Sequence, residues 1–333
     1  MPVHPMKRKK ISVLIPSYNE AEQLPTTISE IPKYIPDLYD YEVFFVDDGS
    51  TDRSWEILQR AAAEDPRLRA LRFSRNFGKE KALMAGLLNA DGDAVIIMDC
   101  DLQHPPKKIP EMLRLWEEGY LLVQGVKADR GKESAFSRLS ANAFYHMFSR
   151  SSDIDLRDAS DFQLLDRRVV ECFRSFPEKE PFFRAISHWI GFPRTEFSFE
   201  VEERKHGRSR WSLEKLSLLS LNALAAYSKR PLLFLPISAV LAYFFSLGFL
   251  IGAIAAGKTL LWIHCSIFFC TGLLLTGASI LSLYLAQVHT ASLERPRYIV
   301  AESLGRPEMG AGAGERVEEA ERSEESPSVE RPF

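Results

Sequence analysis

Four cysteines are spread over 333 residues, at Cys100, Cys172, Cys265 and Cys270, and none forms a CxxC pair. That spacing gives no basis for a zinc site or a disulfide framework and fits a reducing compartment. The motif GxGxxG is missing, which disfavours a dinucleotide fold. No internal repeat is visible. The N-terminus, "MPVHPMKRKK", is basic, but only "ISVLI" follows before Pro16, too short for a signal-peptide core. Charge itself is missing from two long runs. From Pro231 to Gly257, and again from Thr259 to Leu293, there is no Asp, Glu, Lys or Arg.

About 20 mostly apolar residues suffice for a helix to cross the hydrocarbon of a bilayer. Each run is long enough, so two spanning helices are expected, near 232–256 and 261–287. A pair of buried helices in a soluble core is the alternative, disfavoured because globular helices rarely run so far without a charge. The connection at Gly257-Lys258 is very short, so the helices form a hairpin with both ends on one side. Lys205, Arg208, Arg210, Lys215, Lys229 and Arg230 lie upstream, and Arg295 and Arg297 downstream, against Lys258 at the far turn. The positive-inside rule then places residues 1–230 and the tail in the cytoplasm. Between domain and hairpin, "WSLEKLSLLSLNALAAYSKR" (211–230) has leucines at helical spacing. It reads as an interfacial helix anchored by Trp211, or equally as a helix packed on the soluble domain.

The chain is 46% apolar and 26% charged, which fits a folded core. Its formal net charge of -3 is uneven: residues 302–333 hold nine Glu and four Arg, leaving the rest slightly positive. The end of the chain, 304–333, is rich in Gly, Ala, Ser and Pro and reads as a disordered acidic tail after a short post-membrane segment, 294–303.

The first 130 residues alternate strand and helix signals. Strands are expected at 11–16, 41–48, 68–74, 94–99 and 121–126. Helices are expected near 20–34, 50–64, 79–90 and 107–118. The alternation predicts an α/β domain over 1–210, with a mainly parallel sheet covered by helices. In such sheets ligands bind beyond the carboxyl ends of strands. Strand one ends in "PSYNE", strand two in "DDGSTD" and strand four in "DCDLQ", so acids and hydroxyls collect on one edge.

Asp99 and Asp101 are two apart, and in an extended segment such side chains face the same way. Neighbouring carboxylates repel unless a cation lies near them. All-oxygen ligation suits Mg²⁺ or Mn²⁺, which usually also carry substrate phosphates. "DCD" thus reads as a clamp for a metal–diphosphate. A DxD alone is better explained by a solvated turn; its place after an apolar strand, with "VDDGSTD" closing a sister strand, reverses that balance in favour of the clamp.

Together these residues resemble the family 2 glycosyltransferases of the GT-A (Rossmann-like) fold. Within them they resemble the polyprenyl-phosphate sugar transferases: dolichol-phosphate mannose synthases and bactoprenol glucosyltransferases. The motifs are "IPSYNE" (15–20), "VDDGSTD" (46–52), "SRNFGKEKALMAGL" (74–87), "MDCDLQHPP" (98–106), "DFQLLDRRVV" (161–170), "RKHGRSRWS" (204–212) and "RPRYIV" (295–300). They cover roughly residues 10–300. The short hairpin looks most like the bactoprenol branch.

The resemblance implies that Pro16, Tyr18, Glu20, Asp47 and Asp48 hold the nucleotide; for Pro16 and Tyr18 an ordinary strand-to-helix turn is an equal reading. It implies that Asp99 and Asp101 bind Mg²⁺ or Mn²⁺ and the diphosphate, with Gln103 beside them. Lys79 and Lys81 sit near the donor or are solvated helix charges. His104 reads as a loop residue. Residues 127–145 approach the lipid phosphate, with Lys127, Arg130, Arg138, Arg204, Ser209 and Arg210 as its ligands. For any one of the basic residues a solvated surface role is an equal reading. Lys127 stands where arginine is expected, and Arg210 where lysine is expected, which preserves charge but not geometry. Asp101, Asp161 and Arg204 are the candidate catalytic residues; Asp161 matches an acid suggested as base or orienting group, or caps "DFQLLDRR".

The implied reaction is inverting transfer of a sugar, foremost glucose from UDP-glucose, to a polyprenyl phosphate such as undecaprenyl phosphate. GDP-mannose is the runner-up donor. The implied location is the inner or plasma membrane, multi-pass, with a homo-oligomer through the helices and no nucleic-acid partner. A polysaccharide synthase would bring more spans and a "QxxRW" motif, which are missing. A non-catalytic membrane scaffold or lipid carrier is the reading from another class; intact "DCD" and "DDGSTD" argue against it.

Overall fold

A computed structural model describes residues 8–128, 160–176, 182–200, 234–257, 259–293 and 295–305. Arg130, Arg138, Arg204, Ser209 and Arg210, the 211–230 segment, Lys258 and the tail from 306 onward lie outside the described residues.

The expected alternation is there. Strands β1 (Lys10–Ser17), β2 (Asp40–Asp47), β3 (Leu68–Phe73) and β4 (Ala94–Ile97) run parallel, linked by helices α1 (Leu24–Glu30), α2 (Ser54–Glu64) and α3 (Lys79–Asn89). Helix α4 (Ile109–Glu117) leads to β5 (Leu122–Lys127). Three strands were not anticipated: β6 (Gln163–Asp166), β7 (Arg194–Phe199) and β8 (Val300–Leu304). Helices α5 (Arg167–Ser175) and α6 (Phe183–Trp189) lie between β6 and β7. The sheet order is β7-β5-β6-β4-β1-β2-β3-β8, with β6 antiparallel to both neighbours and β8 antiparallel to β3.

Both faces of the sheet are buried, which is why its central strands read as continuous apolar runs. Ile11, Val13 and Ile15 point to the layer of α1, α2 and α4, together with Trp55, Leu58, Met112 and Trp116. Leu14, Phe44, Val46, Val95 and Ile97 point to the layer of α3, α5 and α6, against Leu83, Leu87, Phe173 and Phe183. The alternation along β1 and β2 is the two-residue period of a strand.

A charged pair, Glu42 and Arg69, is buried inside this sheet, away from the acidic edge. Glu42, 2% exposed, accepts from Ser12 Oγ (2.5 Å), the Asp91 N–H (3.0 Å), Lys10 Nζ (2.9 Å) and Arg69 (2.8 Å). Burial alone pushes the carboxyl up, but these donors outweigh it and bring its pKa to about 2. The folded pKa lies below the unfolded one, so the stabilisation is full above the ordinary glutamate value and is lost as pH falls toward 2. Thermal unfolding of Glu42→Gln is therefore expected to show a flatter decline between about pH 4.5 and 2 than the parent. Parallel declines in the two proteins would remove Glu42 as the acid-sensitive group.

At the C-terminal side, α7 (Phe234–Ala256) and α8 (Thr259–Ser292) form an antiparallel pair around Gly257. Phe245 packs on Phe269 (4.5 Å), Phe249 on Trp262 (5.6 Å), and Ser246 Oγ meets Cys270 Sγ at 3.1 Å. In α8, Trp262–Ala286 is long and apolar enough to cross a membrane by length and composition. Only 6% of that stretch is buried, unlike a core helix. In α7 the apolar stretch is shorter, Val240–Gly252. Large apolar side chains such as Tyr243, Ile254, Phe268 and Leu274 face outward. The chain then returns to the sheet, where β8 pairs with β3. Glu302, counted by charge with the acidic end of the chain, is a strand residue.

Candidate active site

The carboxyl ends of β1, β2 and β4 meet on one edge, and their loops lock together through short polar side chains. Asn19 has a left-handed backbone (φ 56°), a conformation asparagine tolerates better than most residues. Its Oδ1 accepts from the Thr51 N–H (2.7 Å), and its own N–H donates to Ser50 Oγ (2.8 Å). The Glu20 N–H donates to Ser54 Oγ (3.0 Å), and the Ala21 N–H to Asp52 (3.2 Å). "PSYNE" and "DDGSTD" are therefore one structural unit. Gly49 permits it: its φ is +68°, and a Cβ there would stand 2.4 Å from the Arg75 carbonyl carbon.

Within that unit the two aspartates of β2's end differ. Asp47 is fully buried; its Oδ1 accepts from the Ser50 N–H and hydroxyl. Among the described residues its Oδ2 has no hydrogen-bond donor, and Arg72 Nε lies 3.6 Å away. Asp48 instead accepts from the Phe77 N–H (2.7 Å) and the Gly78 N–H (2.9 Å), tying the loop before α3 to β2. Burial, opposed by those two donors, pushes the Asp48 carboxyl up to about 6. Pro16 is buried in β1 beside Val46, and Tyr18 is exposed at the strand's end.

The "DCDLQ" segment is not extended. Strand β4 stops at Ile97, and residues 100–101 form a turn. Leu102 takes a left-handed backbone (φ 58°), which for a branched residue costs about 1–2 kcal/mol. The premise that Asp99 and Asp101 share a strand face is thus corrected: a turn, not a strand, presents them. The Asp101 carboxylate accepts from the Gln103 N–H (3.1 Å). The Asp99 N–H donates to His104 Nδ1 (3.0 Å), and His104 is buried, stacked on Phe162 at 4.9 Å. His104 stands in the loop, as expected, and its buried ring supports the turn. Burial lowers its pKa, consistent with a neutral ring accepting at Nδ1.

Lys79, at the start of α3, joins two distant acids. Its ammonium lies 2.5 Å from Asp99 Oδ1 and 2.7 Å from Asp161 Oδ2. It is an ion-pair partner, not a solvated helix charge. Asp161, 4% exposed, also takes Arg184 Nε on Oδ1 (2.7 Å) and a second Arg184 nitrogen on Oδ2 (3.0 Å). Burial pushes the Asp161 carboxyl up, but Arg184 and Lys79 hold it well below the usual carboxylate range. Burial likewise raises Asp99, and Lys79 outweighs it, so that carboxyl also stays ionised. Next to Lys79, Glu80 accepts the Phe183 N–H (2.7 Å), and burial with Asp161 nearby pushes it up to about 7. The cap of α5 is Asp166, which accepts the Arg168 N–H (2.9 Å), so Asp161 is not the cap of that helix.

Lys127 ends β5 and is exposed. Among the described residues no group of three or more His, Cys, Asp or Glu could hold a metal alone. Arg72, Arg184 and Glu302 carry no local motif, and Glu80 lies within "SRNFGKEKALMAGL" without being singled out there; each joins this edge through a partner distant in sequence.

The comparisons fit this geometry. The model of the family "Glycosyl transferase family 2" matches residues 12–173. The uncharacterized glycosyltransferase YkcC of Bacillus subtilis (strain 168) is 33% identical over 305 residues, covering 88% of this chain and 94% of that protein. The bactoprenol glucosyl transferase of Shigella phage SfV is 34% identical over 305 residues, covering 87% and 98%. Among solved structures, glucosyl-3-phosphoglycerate synthase from Mycobacterium tuberculosis, in complex with Mn²⁺, uridine diphosphate and phosphoglyceric acid, superposes with a TM-score of 0.50. It is 24% identical and covers 65% of this chain and 76% of that one. The chain belongs to glycosyltransferase family 2 and is a glycosyltransferase with the GT-A fold.

Proposed function

We propose that this enzyme transfers glucose from a nucleotide sugar, foremost UDP-glucose, to a polyprenyl phosphate at the cytosolic face of a membrane. The observation that carries the reading is the joining in one chain of an acidic strand-end edge and a helix pair with an apolar exterior. A soluble, anionic donor suits the first, and a lipid acceptor suits the second. The near full-length relationship to a bactoprenol glucosyl transferase supports the same pairing. Because β8 pairs with β3, both ends of the helix pair lie on the side of the catalytic domain. With the basic flanks, this supports a two-span hairpin with domain and termini cytoplasmic.

Asp47, with a buried oxygen lacking a donor, would take an N–H or O–H of the nucleoside. Asp99 and Asp101 would hold a divalent cation: two carboxylates from the protein leave positions for diphosphate oxygens, the usual arrangement for Mg²⁺. That cation would supply Lewis-acid stabilisation of the departing diphosphate. A lipid monophosphate has a second pKa near 6, as phosphate monoesters do. It is thus largely ionised at neutral pH and is its own nucleophile. One of its oxygens bonds to the anomeric carbon from the face opposite the leaving group, and the bond to the nucleoside diphosphate breaks, inverting the centre. Such a reaction asks for orientation and charge neutralisation more than for a base. Asp161 accordingly acts as the anchor that orients Lys79 and Arg184, with Lys127, Arg130, Arg138, Arg204, Ser209 and Arg210 facing the acceptor phosphate.

The test uses membranes bearing the full chain, undecaprenyl or dolichyl phosphate, Mg²⁺ or Mn²⁺, and labelled UDP-glucose or GDP-mannose. Label entering the organic phase from UDP-glucose, and lost with EDTA, is the expected result. Transfer from GDP-mannose alone would move the donor to mannose. Transfer from neither would refute the proposed reaction.

A further inference from the structure

Three charges stand in a row across neighbouring strands at the rim of the candidate site. Asp47 on β2 is opposite Arg72 on β3, and Arg72 is opposite Glu302 on β8. The first belongs to the nucleotide edge. The last comes from the segment that follows both apolar helices. Opposite charges on adjacent strands interact directly.

The contacts of Arg72 are unequal. Glu302 Oε1 holds its Nη1 at 2.9 Å, and the Ser50 carbonyl lies 3.4 Å from Nη2. Nε stays 3.6 Å from Asp47 Oδ2, beyond hydrogen-bond length. Glu302 is itself fixed, since its Oε2 accepts from Trp55 Nε1 at 2.9 Å, and Arg72 lies over the Trp55 ring. The guanidinium thus supplies positive potential to Asp47 without taking the lone pairs of Oδ2. That oxygen is buried and lacks a hydrogen-bond donor among the described residues. An untethered arginine would close the short gap and occupy it, since a bidentate arginine–carboxylate pair is the stronger arrangement.

We propose that Glu302 is a positioning residue for nucleotide binding: it tethers Arg72 away from Asp47 so that Asp47 Oδ2 remains open to a hydrogen-bond donor of the nucleoside. The proposal rests on the reading of Asp47 as a nucleotide-binding residue. It makes strand β8, after the helix pair, part of the donor site.

The experiment is calorimetric titration of uridine diphosphate, and of guanosine diphosphate, with Mg²⁺, into the full chain in detergent micelles, alongside steady-state kinetics. Glu302→Gln is expected to weaken nucleotide binding and raise the donor KM by about three- to tenfold, with kcat within about twofold. A charge exchange, Arg72→Glu with Glu302→Arg, separates positioning from mere support of the strand. The exchanged pair can re-form and recover most of the melting temperature, less the Trp55 Nε1 bond to Glu302, but it sets a carboxylate beside Asp47, so donor affinity stays low. Full affinity in Glu302→Gln, or recovery of affinity together with melting temperature in the exchange, overturns the proposal. Failure of the parent protein to bind either nucleotide would instead overturn the reading of Asp47, and the proposal with it.

Discussion

Asp99→Ala is expected to lower sugar transfer by about 10²–10³-fold while the protein stays folded. Asp99 is 29% exposed on the strand-end turn, so its removal opens no large cavity. Lys79 keeps Asp161 as a partner at 2.7 Å, so no cation is stranded. What is lost is one of the two carboxylates proposed to face the diphosphate. Asp99→Asn keeps the shape and removes the charge, and it should lose nearly as much. The measurement is the initial rate of label transfer to lipid, with melting temperature as the control for folding. A variant retaining a tenth or more of the parent rate would place the diphosphate elsewhere than at the "DCD" turn.

Asp161 presents the opposite balance. Its carboxylate is buried between Lys79 and Arg184, each 30% exposed. Removing one partner of a buried ion pair costs about 3–5 kcal/mol, because the remaining charges lose their compensation. The partial exposure of both cations puts Asp161→Asn near the lower end, about 3 kcal/mol, or a fall in melting temperature of about 6–12 °C. Turnover should fall as well, since Lys79 is then free to leave its place beside Asp99. A general base would show itself differently: its loss would also remove the acidic limb of the pH–rate profile, which the loss of an anchor leaves in place. Normal turnover and normal melting together would deny Asp161 either role.

The parallel half of the sheet was readable because its strands are apolar runs separated by amphipathic helices, and two-sided burial produces that pattern. "QLLD" of β6 was hidden because four residues carry too little periodicity and sit in a motif that ends in a helix. "RTEFSF" of β7 did carry a signal, with Phe197 and Phe199 both buried at the two-residue period. Glu302 was obscured by composition: counted among nine glutamates it looks like tail, whereas Val300–Leu304 forms a strand. The acids of the site were legible as a set because strand ends gather them. Their division of labour was not. Asp48 is spent on two backbone N–H groups and Asp161 on two cations, and both partnerships bridge segments far apart in sequence. The turn at Leu102 was equally invisible, since leucine gives no warning of a left-handed backbone.

Strand β8 also imposes an order on synthesis. When residues 10–199 have left the ribosome, seven strands can assemble, but β3 still offers its unpaired edge to any extended chain nearby. The strand that covers it is translated only after about a hundred further residues, including both apolar helices. The catalytic sheet is therefore completed last, by a segment that cannot exist until the helix pair has been made. A nascent chain stalled before residue 300 carries an open sheet edge, so aggregation and proteolysis of such chains measure how long the edge stays uncovered.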